Sequence, residues 1–173
     1  MIIFITGLSG AGKTTLANAL YKDIKKKNSN TVWIDGDISR QHFKNTIKYD
    51  QKSRIEQYKK TIGLAKFCYD QKINVIISAL YFNDFILKNN KKLFKNYFQI
   101  YLKANINDLI KRDSKKVYSK NIYKKNPFLV GVDIKWNHPK KTDFIVDAFF
   151  KKNVNLIKKK ILLKINKKLN FFK

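Results

Sequence analysis

The chain has 173 residues, of which 44% are hydrophobic and 14% aromatic, a composition that excludes a disordered protein and fits one globular domain. A single cysteine excludes an internal disulfide framework and fits a reducing compartment, so we expect a cytoplasmic protein. We expect neither a signal peptide nor a membrane span, because no apolar stretch reaches the roughly 18 residues that a span requires.

The net charge of +26 raises the question of nucleic-acid binding. Among 38 basic residues only Arg40, Arg54 and Arg112 are arginine, whereas base readout and bidentate phosphate recognition favour arginine. We therefore expect no dedicated nucleic-acid function, and a basic nucleic-acid-binding ATPase module is kept as an alternative. Because lysine is the habitual cation of this chain, the three arginines indicate places that need a planar guanidinium.

The first fifteen residues combine a strand with a glycine-rich loop. An apolar run, Ile2 to Thr6, is followed by a loop with the spacing G-x-x-x-x-G-K-S/T, whose residues are Gly7, Leu8, Ser9, Gly10, Ala11, Gly12, Lys13, Thr14 and Thr15. Its backbone N–H groups can surround phosphate oxygens, and the helix that follows adds the positive end of its dipole. Lys13 would reach the β- and γ-phosphates and Thr14 would ligate Mg²⁺. The stretch predicts binding of a nucleoside triphosphate.

The rest of the chain alternates predicted helices and strands. The apolar periodicity predicts helices at 13–27, 37–48, 51–71, from about 84, from about 105 to 113 and at about 150–169, and further strands at 31–34, 73–78, 98–102 and 143–146. The alternation predicts an α/β fold, a three-layer P-loop NTPase fold with a five-stranded parallel sheet in a single domain, 1–173. Between 114 and 139 the periodicity fades, and we expect this lid segment to close over the phosphates. The lysine-rich last helix is expected to pack against the sheet rather than on an anionic membrane.

Two aspartates follow the second predicted strand. Asp35 and Asp37 lie where parallel α/β sheets bind their ligands, one strand from the phosphate loop. Asp37 is also placed to cap the next helix, which would be a purely structural role. We interpret the Asp35-Gly36-Asp37 triplet as functional, because Arg40 follows it.

Taken in order, these motifs resemble those of the adenylylsulfate (APS) kinases, a family of P-loop kinases. The resemblance extends from Ile2 to about Ala148. It rests on the phosphate loop and on further segments, namely Asp35-Gly36-Asp37 with Arg40, Ser53-Arg54-Ile55-Glu56, Arg112-Asp113-Ser114-Lys115 with Val117, Tyr118 and Lys120, and the strand Asp143 to Asp147.

The resemblance implies transfer of the γ-phosphoryl group of ATP to the ribose 3′-hydroxyl of a small nucleotide, with Mg²⁺ as the metal. Asp37 would orient or deprotonate the hydroxyl, and Asp35 would support the metal together with Thr14. The acceptor's anionic group would bind Arg40 and Arg54. Arg112 and Lys115 would reach over ATP from the lid segment, and the family commonly forms homodimers.

The departures from the family pattern lie mostly on the acceptor side. Gln57 stands where APS kinases have Asn, and Tyr81 begins a Tyr-Phe-Asn stretch in place of their Ile-Ser-Pro turn. With Lys120 of the lid segment, these residues are expected to contact the acceptor. One branch of the family, found with bacterial capsule genes, phosphorylates cytidine diphosphoramidate instead of APS, and both acceptors stay open at near parity. Another P-loop small-molecule kinase is the further alternative.

Overall fold

The computed structural model describes residues 1–43, 49–80, 84–113, 116–122, 128–148 and 153–171, with no side chain described at 84 and 120–122. Within these residues, five strands form one parallel sheet in the order β2-β3-β1-β4-β5. The strands are β1 (Ile2–Gly7), β2 (Thr31–Asp35), β3 (Asn74–Ser78), β4 (Tyr97–Lys103) and β5 (Phe144–Asp147).

Seven described helices connect and cover the strands. They are α1 (Lys13–Lys27), α2 (Gly36–His42), α3 (Gln51–Asp70), α4 (Asp84–Leu93), α5 (Ile106–Arg112), α6 (Val117–Ile122) and α7 (Val154–Leu169). Every residue of β1 and β3 is buried, so both faces of the sheet are covered at its centre. The predicted three-layer α/β fold is confirmed.

The strand register brings the polar strand ends to one edge of the sheet. Ser78 at the end of β3 pairs with Ile5 of β1 on one side and with Asp35 of β2 on the other. Because all strands run the same way, the phosphate loop after β1 leaves the sheet at this same edge. The fold itself therefore places the loop, Asp35 and Ser78 side by side.

The second helix differs from the prediction at its first turn. It begins at Gly36, and the carboxylate of Asp35 caps it by accepting hydrogen bonds from the N–H groups of Asp37 at 2.9 Å and Ile38 at 3.4 Å. The alternative in which Asp37 is the cap is therefore wrong. Asp35 ends the strand with the extended backbone that an N-cap residue adopts. The predicted stretch 44–48 lies outside the described residues.

The lid segment contains a helix that the sequence pattern does not predict, the six-residue α6. The last helix, α7, is described from Val154 onward and packs as expected, because Ile161 and Ile165 are fully buried in the core. Lys158 forms an ion pair at 2.8 Å with Asp23 of α1. In the part of the chain that the structure describes, no helix has the length and apolar character needed to cross a membrane.

Candidate active site

The phosphate loop has the backbone conformation that its glycines predict. Gly10 and Gly12 have positive φ angles of 78° and 101°, which residues with side chains rarely adopt. Gly12 directly precedes α1, whose first turn receives no side-chain cap among the described residues, so its N–H groups suit an anionic ligand. Lys13 Nζ donates to the backbone carbonyl of Leu8 at 2.9 Å, which holds the ammonium over the loop.

Asp35 lies beside this loop and its carboxylate joins three segments of chain. Besides capping α2, it accepts hydrogen bonds from Thr14 Oγ1 of α1 at 3.0 Å and from Ser78 Oγ of β3 at 2.8 Å. The indole of Trp33 donates to the same Ser78 hydroxyl at 2.9 Å. Asp35 is only 7% exposed, and these neutral donors compensate the loss of water around its charge.

Thr14 and Asp35 together offer the oxygen ligands that Mg²⁺ prefers. The hydroxyl and carboxylate lie 3.0 Å apart beside the predicted phosphate site, and Mg²⁺ typically takes one or two protein ligands while phosphates and water complete its octahedron. Among the described residues no cluster of three or more His, Cys, Asp or Glu forms a metal site by itself. The donor set therefore fits a Mg²⁺ that arrives with a nucleotide.

Two arginines, Arg40 of α2 and Arg54 of α3, converge on one tyrosine. Their guanidinium carbons lie 5.1 Å and 5.5 Å from the ring centroid of Tyr49. Arg54 also donates from Nε to the carbonyl of Tyr49 at 2.7 Å and from Nη2 to the carbonyl of Phe128 at 2.8 Å. Burial, followed by the charge of Arg40, lowers the pKa of Arg54 to about 10. An anion bound here would relieve both effects.

The phosphate loop and the arginine pair open into one cavity of about 480 Å³. Residues from both predicted halves of the site line its wall, namely Ser9, Lys13, Thr14, Asp35, Asp37, Arg40, Tyr49, Arg54, Gln57, Ser78 and Phe128. A cavity of this size suits a small ligand held by a few convergent polar groups. The structure thus brings together the residues predicted to bind the triphosphate and those predicted to bind the acceptor.

Gln57 occupies the cavity wall in a mainly structural arrangement. Its side-chain amide donates to Ser39 Oγ of α2 at 3.1 Å, and this hydrogen bond joins α2 to α3. The same amide nitrogen lies 3.5 Å from Thr61 Oγ1 within α3. Its Oε1 atom is buried and has no hydrogen-bond partner among the described residues. The predicted contact of Gln57 with an acceptor stays a prediction.

The lid segment contacts both halves of the cavity. Tyr118 Oη donates to the carbonyl of Ser9 in the phosphate loop at 2.8 Å, and the carbonyl of Phe128 accepts the hydrogen bond from Arg54. Lys116 and Val117 of the lid segment also line the cavity. The sequence pattern alone does not predict these contacts, because each joins residues far apart in the chain.

The structure does not place the remaining predicted site residues in the cavity. Arg112 ends α5 on the exposed surface and is not among the residues that line the cavity. Lys115 and Tyr81 lie outside the described residues, as does the side chain of Lys120. Sequence reasoning missed Ser78. The signal that could have found it is its position, because it is a polar residue at the end of an otherwise apolar strand. Sequence reasoning also missed Tyr49 and Phe128, for which no local signal exists.

Comparison with known proteins gives a consistent result. The family described as adenylylsulphate kinase matches residues 1–147. A cytidine diphosphoramidate kinase of Campylobacter jejuni is 37% identical over 169 residues, covering 94% of this chain and 96% of that one. A probable adenylyl-sulfate kinase of Archaeoglobus fulgidus is 29% identical over 147 residues, covering 85% and 95%.

The fold is shared with a solved structure of the same family. The APS kinase of Mycobacterium tuberculosis, in complex with AMPPNP and APS, superimposes with a TM-score of 0.82 at 18% identity, covering 95% of this chain and 96% of that one. The family match extends over most of the chain, and the cytidine diphosphoramidate kinase spans nearly all of it. This chain belongs to the adenylylsulfate kinase family and is a phosphotransferase.

Proposed function

We propose that the protein transfers the γ-phosphoryl group of ATP to the ribose 3′-hydroxyl of a small nucleotide, and that this acceptor is cytidine diphosphoramidate rather than APS. The observation that carries the reaction is the single cavity in which Lys13, Asp37 and the Arg40–Arg54 pair meet. The higher identity to a cytidine diphosphoramidate kinase, over nearly the full length of both chains, favours the cytidine acceptor.

On the ATP side the protein supplies position and positive charge. The N–H groups at the start of α1 and the ammonium of Lys13 would hold the β- and γ-phosphates. Thr14 and Asp35 would hold Mg²⁺, which neutralises phosphate charge when it is bound. Because Asp35 also fixes the first turn of α2, its placement sets the position of Asp37 relative to the phosphate loop.

On the acceptor side, Asp37 and the arginine pair have different tasks. Asp37 lines the cavity within the first turn of α2 and would orient or deprotonate the attacking hydroxyl. Arg40 and Arg54 would hold the anionic group of the acceptor, because a planar guanidinium matches a phosphate or sulfate oxygen pair. The carbonyl contacts of Arg54 fix the orientation of its guanidinium before the acceptor arrives.

The direct test measures ADP release from Mg·ATP by the purified protein with cytidine diphosphoramidate and with APS in parallel reactions. We expect turnover with the cytidine compound and a kcat/KM for APS at least about tenfold lower, since discrimination of a base by a cavity of fixed shape reaches this size. An Arg40→Ala variant serves as the control for acceptor binding. Faster turnover with APS would overturn the choice of acceptor, and ADP release unaffected by either acceptor would overturn the 3′-kinase proposal.

A further inference from the structure

The hydroxyl of Tyr118 connects the lid segment to the phosphate loop across 109 residues of sequence. It donates to the carbonyl of Ser9 at 2.8 Å from a side chain that is only 3% exposed. Burial, with a smaller contribution from the charge of Asp113, raises the pKa of Tyr118 to about 12. The hydroxyl therefore keeps its proton at physiological pH and always acts as the donor to Ser9.

The position of Tyr118 is itself fixed by a single carboxylate. Asp113 Oδ1 accepts hydrogen bonds from the N–H groups of Val117 at 2.8 Å and Tyr118 at 3.0 Å, and Oδ2 accepts from that of Ser119 at 2.8 Å. These bonds satisfy the first turn of α6, so they orient the helix that carries the Tyr118 ring. Tyr118 is thus carried by a helix whose first turn is held in place by Asp113.

A second part of the lid segment packs against the same loop. The backbone of Gly131 approaches Leu8 so closely that an added Cβ would lie 3.1 Å from Leu8 Cδ2. The side chain of Leu8 is 3% exposed. The lid segment therefore contacts two consecutive residues of the phosphate loop, one through a hydrogen bond and one through apolar packing.

The hydrogen bond to Ser9 determines more than the direction of one carbonyl. Ser9 C=O and Gly10 N–H belong to the same peptide plane, and in a trans peptide they point in opposite directions. No cis peptide occurs among the described residues. Gly10, with its positive φ of 78°, imposes little conformational preference of its own on this peptide. Ala11 N–H donates to the carbonyl of Leu8 at 3.2 Å across this peptide, and the hydrogen bond from Tyr118 adds a contact from outside the loop that restrains the orientation of the plane.

We propose that Tyr118 is a positioning residue that fixes the Ser9–Gly10 peptide and thereby aims the Gly10 N–H at the phosphates of the bound nucleotide. Phosphate recognition then depends on a side chain of the lid segment that does not itself touch the nucleotide. When α6 is docked the loop is set for phosphate binding, and when α6 moves away the peptide loses its external restraint. This inference deepens the proposed function at the ATP side and is independent of which acceptor is used.

The test compares the Tyr118→Phe variant, which loses only the hydroxyl, with the matched control Tyr97→Phe. Tyr97 is equally buried, but its hydroxyl bonds to Gln99 inside the sheet. We expect the Kd for Mg·ATP to rise about fivefold in Tyr118→Phe, the effect of losing one neutral hydrogen bond, and to stay unchanged in Tyr97→Phe. The KM for the acceptor should stay unchanged in both. Asp113→Asn should weaken Mg·ATP binding in the same direction and provides a second variant if Tyr118→Phe does not fold.

A spectroscopic readout makes the test independent of turnover. The chain has six glycines, so a protein labelled with ¹⁵N-glycine gives a spectrum simple enough to assign. Tyr118→Phe should shift the amide signal of Gly10 and leave that of Gly63 unchanged, since Gly63 lies within α3 and a side chain added there would meet nothing within 4 Å. An unshifted Gly10 signal, an unchanged Kd, or an equal effect of Tyr97→Phe would overturn the proposal. If neither acceptor supports turnover, the Kd for Mg·ATP and the Gly10 amide signal can still be measured, and they still decide the role of Tyr118.

Discussion

At the scale of single residues, the two aspartates of the Asp35-Gly36-Asp37 triplet divide their tasks. Both carboxylate oxygens of Asp35 are occupied by hydrogen bonds, from the first turn of α2 on one side and from Thr14 and Ser78 on the other. These hydrogen bonds commit the Asp35 carboxylate to holding α2, α1 and β3 together rather than to contacting an attacking hydroxyl. Asp37 faces the cavity and is the better candidate for activating a hydroxyl.

The Asp37→Asn variant tests this division. We expect kcat to fall by about 10²- to 10⁴-fold, because an amide cannot take the proton of the attacking hydroxyl. The Kd for Mg·ATP, measured by titration calorimetry, should change little. Asp108→Asn, the same substitution on the exposed surface of α5, is the matched control and should behave like the wild type. Normal turnover by Asp37→Asn would show that another group accepts the proton.

The same residues show what a sequence pattern can and cannot predict. The phosphate loop is predictable because its conformation is encoded locally, by glycine spacing between a strand and a helix. Arg40 and Arg54 stand out by composition, yet their convergence on Tyr49 arises from tertiary packing of α2 against the start of α3. The choice between Asp35 and Asp37 as the helix cap depends on the residue at which β2 ends. Hydrophobic periodicity does not locate the end of a strand to within one residue.

At the scale of secondary-structure elements, the short helix α6 has the largest consequence for the site. Its six residues are too few to show a helical period, and its cap, Asp113, lies four residues before its first residue. The sequence pattern therefore predicts a structureless lid at this point. Although desolvation raises the pKa of Asp113, the hydrogen bonds from Ser119, Tyr118 and Val117 outweigh it and lower the pKa to about 2.

This pKa gives the cap of α6 a defined pH range. A carboxylate whose pKa is lowered on folding stabilises the fold above its ordinary pKa of 3.8, and the stabilisation is lost as the pH falls towards about 2. Amide hydrogen exchange at residues 117–119 should therefore stay slow down to about pH 4 once its intrinsic pH dependence is removed.

Asp113→Asn is the corresponding substitution. An amide offers one acceptor oxygen where the carboxylate offers two, so exchange at 117–119 should accelerate about fivefold, a loss of about 1 kcal/mol typical of a weakened cap. Asp50→Asn, at the cap of α3, should leave these three amides unchanged. Equal protection in the wild type and in Asp113→Asn would contradict the assigned role of Asp113.

At the scale of the whole molecule, the net charge of +26 acts on substrates rather than on the fold. ATP and the proposed acceptor are both anions, and a strongly basic surface raises the rate at which anions meet the cavity. The face of α7 remote from the core carries lysines without a single acidic residue in the helix. Such a field reaches the cavity from a distance, because at low salt it extends over tens of ångströms.

Steering of this kind is tested by ionic strength. We expect kcat/KM to fall about tenfold between about 0.01 M and 1 M salt, as the Debye length shrinks from about 30 Å to about 3 Å. The chemical step inside the cavity should be screened less, so kcat should stay nearly constant. A Lys159→Glu, Lys160→Glu variant on the exposed part of α7 should show a shallower salt dependence. A parallel fall of kcat would point to a salt effect on the structure instead.

The anchoring of Arg54 also bears on how this enzyme can diverge. Arg54 donates hydrogen bonds to two main-chain carbonyls, those of Tyr49 and Phe128, and a carbonyl is supplied by any amino acid. A substitution at position 128 can therefore reshape the proposed acceptor pocket while the hydrogen bond that orients Arg54 is kept. On the proposed ATP side, a substitution would break such contacts, because the side chains of Thr14 and Ser78 donate hydrogen bonds to the side chain of Asp35. Under the proposed function, the acceptor half of the cavity therefore tolerates a change of side chain better than the ATP half does.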